Sequence, residues 1–327
     1  NENPGAIVSL EDPDIAAAEA LNLAPTNIAL PETSVVENSD NLSIGVVTAE
    51  DTSEVRFELV DTADASAFTL SSNGSLSLKE AADFEAKDSY SLKVKATDTS
   101  GKASIGKISI SVTDVNDDPT GSVTISGATS QGSELTAITT TLADEDGLGD
   151  LSYQWLRDGS DIDGATASTY TLTQNDVDAT ISVKVSYTDD GGTAEEVVST
   201  ATATVTNTND LPTGSITIVG TASQENELTV KVDALEDQDG LGALSYQWLR
   251  DGSNISGATS EAYTLVEADV GKNISVRVTY TDDYGASETV TSSETSTVTN
   301  RNDSPTGEIT ISGTAAENQT LTALSTL

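Results

Sequence analysis

The sequence predicts an all-β chain: tandem seven-stranded Greek-key β-sandwiches in an elongated array. Three observations carry this. Apolar and polar residues alternate with a period of two, as in "SYSLKVKATD", where Tyr90, Leu92, Val94 and Ala96 share one face and Ser91, Lys93 and Lys95 the other. The alternating runs are short and separated by Gly, Asn and Asp clusters, the habit of a sandwich. The chain also repeats itself: Pro119 to Leu211 aligns without a gap on Pro212 to Ser304, a period of 93 residues, and a third copy starts at Pro305.

Taken in order, residues 1–26 read as a linker with one short helix, because Asp12 can cap, Pro13 suits the first helical position and "DIAAAEAL" follows. Residues 27–118 supply a first sandwich from runs such as "VRFEL", "GSLSL" and "ASIGKISISVTD". Residues 119–211 and 212–304 each run through "ELT", an acidic loop, "LSYQWLRDG", "YTL" and an "ISV" strand. Residues 305–327 begin a further copy with two strands, too little chain to bury a core alone. In the repeats Leu151, Tyr153 and Trp155 alternate with Ser152 and Gln154, and Ile181, Val183, Val185 and Tyr187 with Ser182, Lys184 and Ser186. That phase sends Trp155 and Trp248 to the core rather than to a sugar-stacking surface. Arg157 and Arg250 are left for weak surface pairs with nearby acids.

The charge balance narrows the partners. The 327 residues include 54 acidic and 14 basic side chains, net charge −40, with no Cys, His or Met. Nucleic acid and anionic lipid surfaces are repelled, and no apolar run approaches the roughly 18 residues of a membrane span. Without imidazole or thiolate ligands, zinc, iron and copper chemistry recede, whereas Asp, Asn and Glu suit the hard cation Ca²⁺. The missing initiator Met reads as an excerpt of a longer chain.

An antiparallel sandwich entered at one end fixes where the acids fall. The loop after the second strand, with Asp144 and Asp146, and the loop after the sixth, with Asp189, lie beside the incoming linker. Asp237, Asp239 and Asp282 are their counterparts 93 residues on. Asp176, after the fifth strand, lies at the far end. The linkers are themselves acidic: "DVNDDP" with Asn116, Asp117 and Asp118, "NTNDLP" with Asn209 and Asp210, and "NRNDSP" with Asn302 and Asp303. Carboxylates so close repel and raise each other's pKa unless cations neutralise them, and two or three Ca²⁺ per junction would do so.

On residues alone three readings of "DEDG" stay open: a metal loop, paired carboxylates for glycoside hydrolysis, or a solvated turn in which Asp caps backbone N–H groups and Gly supplies a positive φ. The EF-hand spacing to a bidentate Glu is absent. No His exists to complete a nucleophilic triad, and 4% aromatic residues offer little sugar platform, so no enzyme activity is expected.

The first sandwich resembles a cadherin repeat. "SVVENSD", "DFE" at Asp83-Phe84-Glu85, "ATDTSG" around Asp98 and "DVNDDP" occur in that order over residues 24–119. The resemblance implies Ca²⁺ ligation by Glu37, Asp83, Glu85, Asn116, Asp117 and Asp118. It departs at "TAEDTSEV", where only Asp51 with Glu50 stands in place of an Asp-x-Asp. The 93-residue blocks, with "YQWLRDG", "VSYTDDGG" and "NTND", resemble the bacterial immunoglobulin-like repeats of large RTX-type surface adhesins and exoproteins. They lack "DFE", so the junction near residue 210 should hold fewer ions than that near 117, and the junction near 303 should be the weakest. Together these resemblances imply a calcium-rigidified extender of an extracellular or bacterial cell-surface adhesin, serving cell adhesion or biofilm attachment. Its partners would be calcium and neighbouring domains of the same chain. The alternative is a recognition module that binds glycan or self-associates through its loops.

Overall fold

The structure, a computed structural model, describes residues 23–327, so the helix expected near Asp12 lies outside the described residues. Among these residues there is no α-helix; strands are joined by loops and short 3-10 turns, and no helix is long and apolar enough to cross a membrane. The chain forms two compact units. One holds the described residues up to Ser126 with Thr136–Thr169 and Ser182–Ala201; the other holds Gly127–Leu135, Tyr170–Ile181 and Thr202–Leu327.

The first unit opens with β1 (Thr26–Ala29), β2 (Ser34–Val36), β3 (Ser43–Val46), β4 (Thr48–Glu50), β5 (Arg56–Val60), β6 (Phe68–Leu70), β7 (Ser75–Leu78), β8 (Ser89–Thr97) and β9 (Ala103–Thr113). They make sheets ordered β2-β9-β8-β5, β3-β7-β6 and β1-β4. Nine strands stand where seven are expected, partly because the run from Ser43 to Glu50 leaves one sheet at Val47 and joins another. The long hairpin of β8 and β9 runs in register from Ser89↔Ser111 to Thr97↔Ala103. Its inner face is the alternation read from the sequence: Leu92, Val94 and Ala96 are fully buried and pack with Ile108, Ile110, Leu76 and Phe68.

The following block gives β10 (Thr124–Ser126), β11 (Glu134–Ile138), β12 (Ser152–Arg157), β13 (Ser160–Asp161), β14 (Thr169–Thr171), β15 (Ile181–Thr188) and β16 (Ala194–Val198), in sheets β10-β11-β14 and β13-β12-β15-β16. The next block repeats this order with β17 (Thr217–Val219), β18 (Glu227–Lys231), β19 (Ser245–Arg250), β20 (Ser253–Asn254), β21 (Ala262–Thr264), β22 (Ile274–Thr281) and β23 (Ser287–Thr291), in sheets β17-β18-β21 and β20-β19-β22-β23. Both blocks thus have the expected seven strands. Trp155 and Trp248 are fully buried, and each indole donates a 2.9 Å hydrogen bond, to the carbonyls of Ala167 and Ser260. Trp248 lies opposite Val276 across the sheet and packs with Ile274, Leu228 and Leu265.

Two sequence readings are corrected here. Leu249, next to Trp248, is also buried, so β19 is covered on both faces instead of alternating strictly. Gln247 Nε2 donates to the carbonyls of Trp248 and Ile255, each at 2.8 Å, tying the chain beyond β20 to β19. Arg250, expected in a weak surface pair, instead meets Asp269, which is fully buried in the turn after β21. Asp269 Oδ1 accepts Arg250 Nε and Nη2, both at 2.6 Å, while Oδ2 accepts Tyr263 Oη and the Val266 N–H at 2.8 Å. Burial, then the bond to Asp269, pushes the Tyr263 phenol up to about 12. Asp269→Ala should cost about 3 kcal/mol in urea unfolding, because it strands a half-buried guanidinium.

Residues 305–327 carry β24 (Ile309–Ser312) and β25 (Thr322–Ser325), an antiparallel pair in a sheet of its own. Two strands appear as expected, but they pair only with each other, and Ile309 and Ile311 stay exposed.

Candidate metal centre

The centre of the first unit grows out of one buried carboxylate. Glu37, just past β2, is 2% exposed. Its Oε2 accepts the Phe84 N–H and its Oε1 the Val115 N–H, both at 2.7 Å, so it draws "DFE" and the segment after β9 together. Around it the carboxylate oxygens of Glu37, Glu85 and Asp114 lie within 4.8 Å of one another, as do those of Glu85, Asp117 and Glu145. Glu85 belongs to both groups. A Ca²⁺ ion holds oxygens at about 2.3–2.6 Å, so ligands on opposite sides of it stand roughly 5 Å apart, and both triads match that span.

The loop between β11 and β12 is folded onto this cluster by its own side chains. Asp144 Oδ1 accepts the Asp146 N–H at 3.0 Å and Oδ2 accepts Tyr187 Oη at 2.5 Å. Asp146, 8% exposed, accepts the Asp117 N–H on Oδ2 at 2.6 Å. Gly147 has φ +93°, a left-handed conformation that favours glycine in this turn. Asp189 accepts the Thr193 N–H on Oδ1 at 2.7 Å, but its buried Oδ2 has no hydrogen-bond partner. Buried polar atoms are almost always satisfied, and an orphaned carboxylate oxygen is the costliest exception. With the cluster left to itself, the carboxyls of Glu85, Asp114 and Asp117 are raised above their usual range, first by desolvation and then by neighbouring carboxylates, Glu37 and Asp146 among them.

The second unit builds the same frame. Asp237 accepts the Asp239 N–H at 2.9 Å and Tyr280 Oη at 2.6 Å, and Asp239 accepts the Asp210 N–H at 2.6 Å. Asp282 Oδ1 accepts the Tyr284 and Ala286 N–H groups at 2.9 and 2.8 Å. Here two buried oxygens are orphaned, Asp239 Oδ1 and Asp282 Oδ2, in residues 1% and 5% exposed. Asn209 donates from Nδ2 to Glu288 Oε1 at 3.0 Å, as Asn116 does to Glu195. One position differs in charge. Where the first unit has Glu37, the second has Gln131, whose Oε1 accepts the Thr208 N–H at 3.2 Å and whose Nε2 donates to Asp210 Oδ2 at 2.6 Å. Gln224 stands likewise toward Arg301 and Asp303. A neutral amide thus occupies a carboxylate that "NTND" and "NRND" present, and no carboxylate triad forms there among the described residues.

The sequence-predicted residues divide accordingly. Glu37, Glu85 and Asp117 come together, with Asp146 and Asp189 against them. Asp83 is exposed and accepts the Ala86 N–H at 2.7 Å, turning the "DFE" loop. Asp144 and Asp237 each have both oxygens engaged in hydrogen bonds that hold their loops. Asn116 and Asn209 are occupied as donors, and Asp118 is exposed at the edge. Asp176 takes a different role from the one expected: fully buried, its Oδ2 accepts Tyr170 Oη, Thr173 Oγ1 and the Thr173 N–H at 2.7–2.8 Å, a capping function like that of Asp269. The sequence reading passed over Asp114 and Glu145. Asp114 is the first letter of "DVNDDP", so its signal was present; Glu145 is drawn in only by the fold of its loop.

No protein-family model matches the sequence, and no curated protein matches it. Among solved structures, mouse cadherin-23 EC22-24 is similar at 16% identity, covering 83% of this chain and 98% of its own, with a TM-score of 0.43. Protocadherin gamma B2 domains 1-5 are similar at 16% identity, covering 86% and 61%, with a TM-score of 0.40. Human protocadherin-24 EC1-2 is similar at 17% identity, covering 58% and 100%, with a TM-score of 0.35. At TM-scores below 0.5 these likenesses carry nothing about function, which rests on the residues above.

Proposed function

We propose that this chain is a calcium-stiffened spacer in an extracellular adhesin, of the bacterial cell-surface kind that serves attachment or biofilm formation. Its domains would be 27–118, 119–211 and 212–304, with 305–327 opening the next. The observation that carries the reading is the set of buried carboxylate oxygens without donors, Asp189 Oδ2, Asp239 Oδ1 and Asp282 Oδ2, each in a loop beside an acidic linker. A bound cation would supply their missing partner. The donors are all hard oxygens, which favours Ca²⁺ over softer metals. Glu37, Glu85, Asp114, Asp117, Asp146 and Asp189 would hold ions at the first centre, and Asp239 and Asp282 at the second.

What the bound ion supplies is charge neutralisation; the chain's own residues do the rest. Glu37 and Asp146 already accept linker N–H groups, so the linker is fixed to the loops on both sides of the cluster. With the repulsion among carboxylates removed, the linker would lose its freedom to bend. Calorimetric titration of the whole chain tests this. Ca²⁺ should bind in the extracellular range of about 10⁻⁴–10⁻³ M. Glu85→Gln, which removes the carboxylate common to both triads, should lower the number of ions bound at the first centre and leave the second unchanged. Small-angle scattering should differ between calcium and chelator. No heat of binding together with superimposable scattering curves would sink the reading.

A further inference from the structure

Seven of the 14 basic residues fall within residues 56–107, and four of them lie on one face. The outer face of β5-β8-β9 can be read row by row from its register. One row is Arg56, Thr97 and Ala103; the next is Glu58, Lys95 and Ile105; the third is Val60, Lys93 and Lys107; the fourth continues with Ser91 and Ser109. Lys95 is paired with Glu58. Arg56, Lys93 and Lys107 have no carboxylate partner among the described residues, although the chain's net charge is −40. Lys93 and Lys107 are directly opposite each other on neighbouring strands, an arrangement that destabilises a sheet. Nothing in the packing requires it, since both side chains are exposed. Beside them Ile105 is 60% exposed in a cationic surface.

We infer that this face docks a linear acidic polysaccharide, carboxylated or sulfated, laid across β5, β8 and β9. Arg56, Lys93 and Lys107 would meet the acid groups, Ile105 and Val60 the apolar faces of the sugar rings, and Ser91 and Ser109 the hydroxyls. The mixture of separated cations, apolar side chains and hydroxyls on a flat sheet matches a sugar acid better than a compact anion. The attraction is local to this face, because residues 56–107 hold seven of the 14 basic side chains; a polysaccharide strand laid there meets those cations, whereas a second copy brings its whole acidic surface. The inference does not depend on calcium, since none of these residues belongs to the metal centres.

The test uses the whole chain in chelator with three immobilised probes: polygalacturonate, dextran sulfate and neutral dextran. Both acidic probes should bind, neutral dextran should not, and binding should fall steeply as salt shortens the screening length below about 8 Å. Lys93→Glu should weaken binding at least ~10-fold by reversing a charge at the contact. The same variant should melt no lower than the parent, because it turns a like-charge pair into an opposite-charge one, so lost binding cannot be ascribed to misfolding. Equal binding by parent and variant, binding that needs calcium, or self-association in sedimentation that Lys93→Glu abolishes would each overturn the proposal.

Discussion

Trp248→Ala is expected to cost about 3–5 kcal/mol, the usual price of removing a large buried aromatic without repacking. The indole is fully buried and its N–H is spent on the Ser260 carbonyl, so the change also leaves that carbonyl without its donor. Its ring stands 5.7 Å from that of Tyr263, which in turn holds Asp269. The damage should therefore reach the capped turn after β21. Guanidinium unfolding with tyrosine and tryptophan fluorescence measures this. A loss under about 1 kcal/mol would show that the cavity closes and that the core is softer than its contacts imply.

Calcium should produce the second large effect. A ligand that binds only the folded chain stabilises it by RT ln(1 + [L]/Kd), about 2.7 kcal/mol per site at a hundredfold excess over Kd. The melting transition should rise with added Ca²⁺ and return with chelator, and Asp239→Asn with Asp282→Asn should remove the part belonging to the second unit. Acidity gives a sign that separates cation binding from generic stabilisation. In chelator Glu85, Asp114 and Asp117 have folded-state pKa values raised above their ordinary ones, so between the two values the folded chain binds more protons than the unfolded. Stability then rises as pH falls from the raised values toward the ordinary carboxylate range, before general acid unfolding sets in. In calcium the trend should invert, because protons and the ion compete for the same oxygens. The same slope in both buffers would remove the metal centre from the explanation.

The fold was legible because it depends on period. Leu92, Val94 and Ala96, or Ile181, Val183 and Val185, announce a buried face by alternation alone, and the 93-residue repeat announces that one strand order recurs. What alternation could not say is that β19 is covered on both sides, since Leu249 is buried next to Trp248. The acidic cluster was legible as a set of carboxylates but not as a pattern of hydrogen bonds. Asp144 and Asp176 look the same in sequence as Asp189; only the donors around each carboxylate show that Asp189 keeps a buried oxygen without a partner. The Gln131 amide facing Asp210 was also invisible, because its contact spans 79 residues.

The phenols of Tyr187 and Tyr280 close the loops that carry Asp146 and Asp239 through hydrogen bonds of the chain's own. On the proposed reading, oxygens held by such bonds would need little rearrangement to receive a cation. A chain built this way would track the salt composition of its surroundings from moment to moment instead of keeping a memory of the calcium it met while folding.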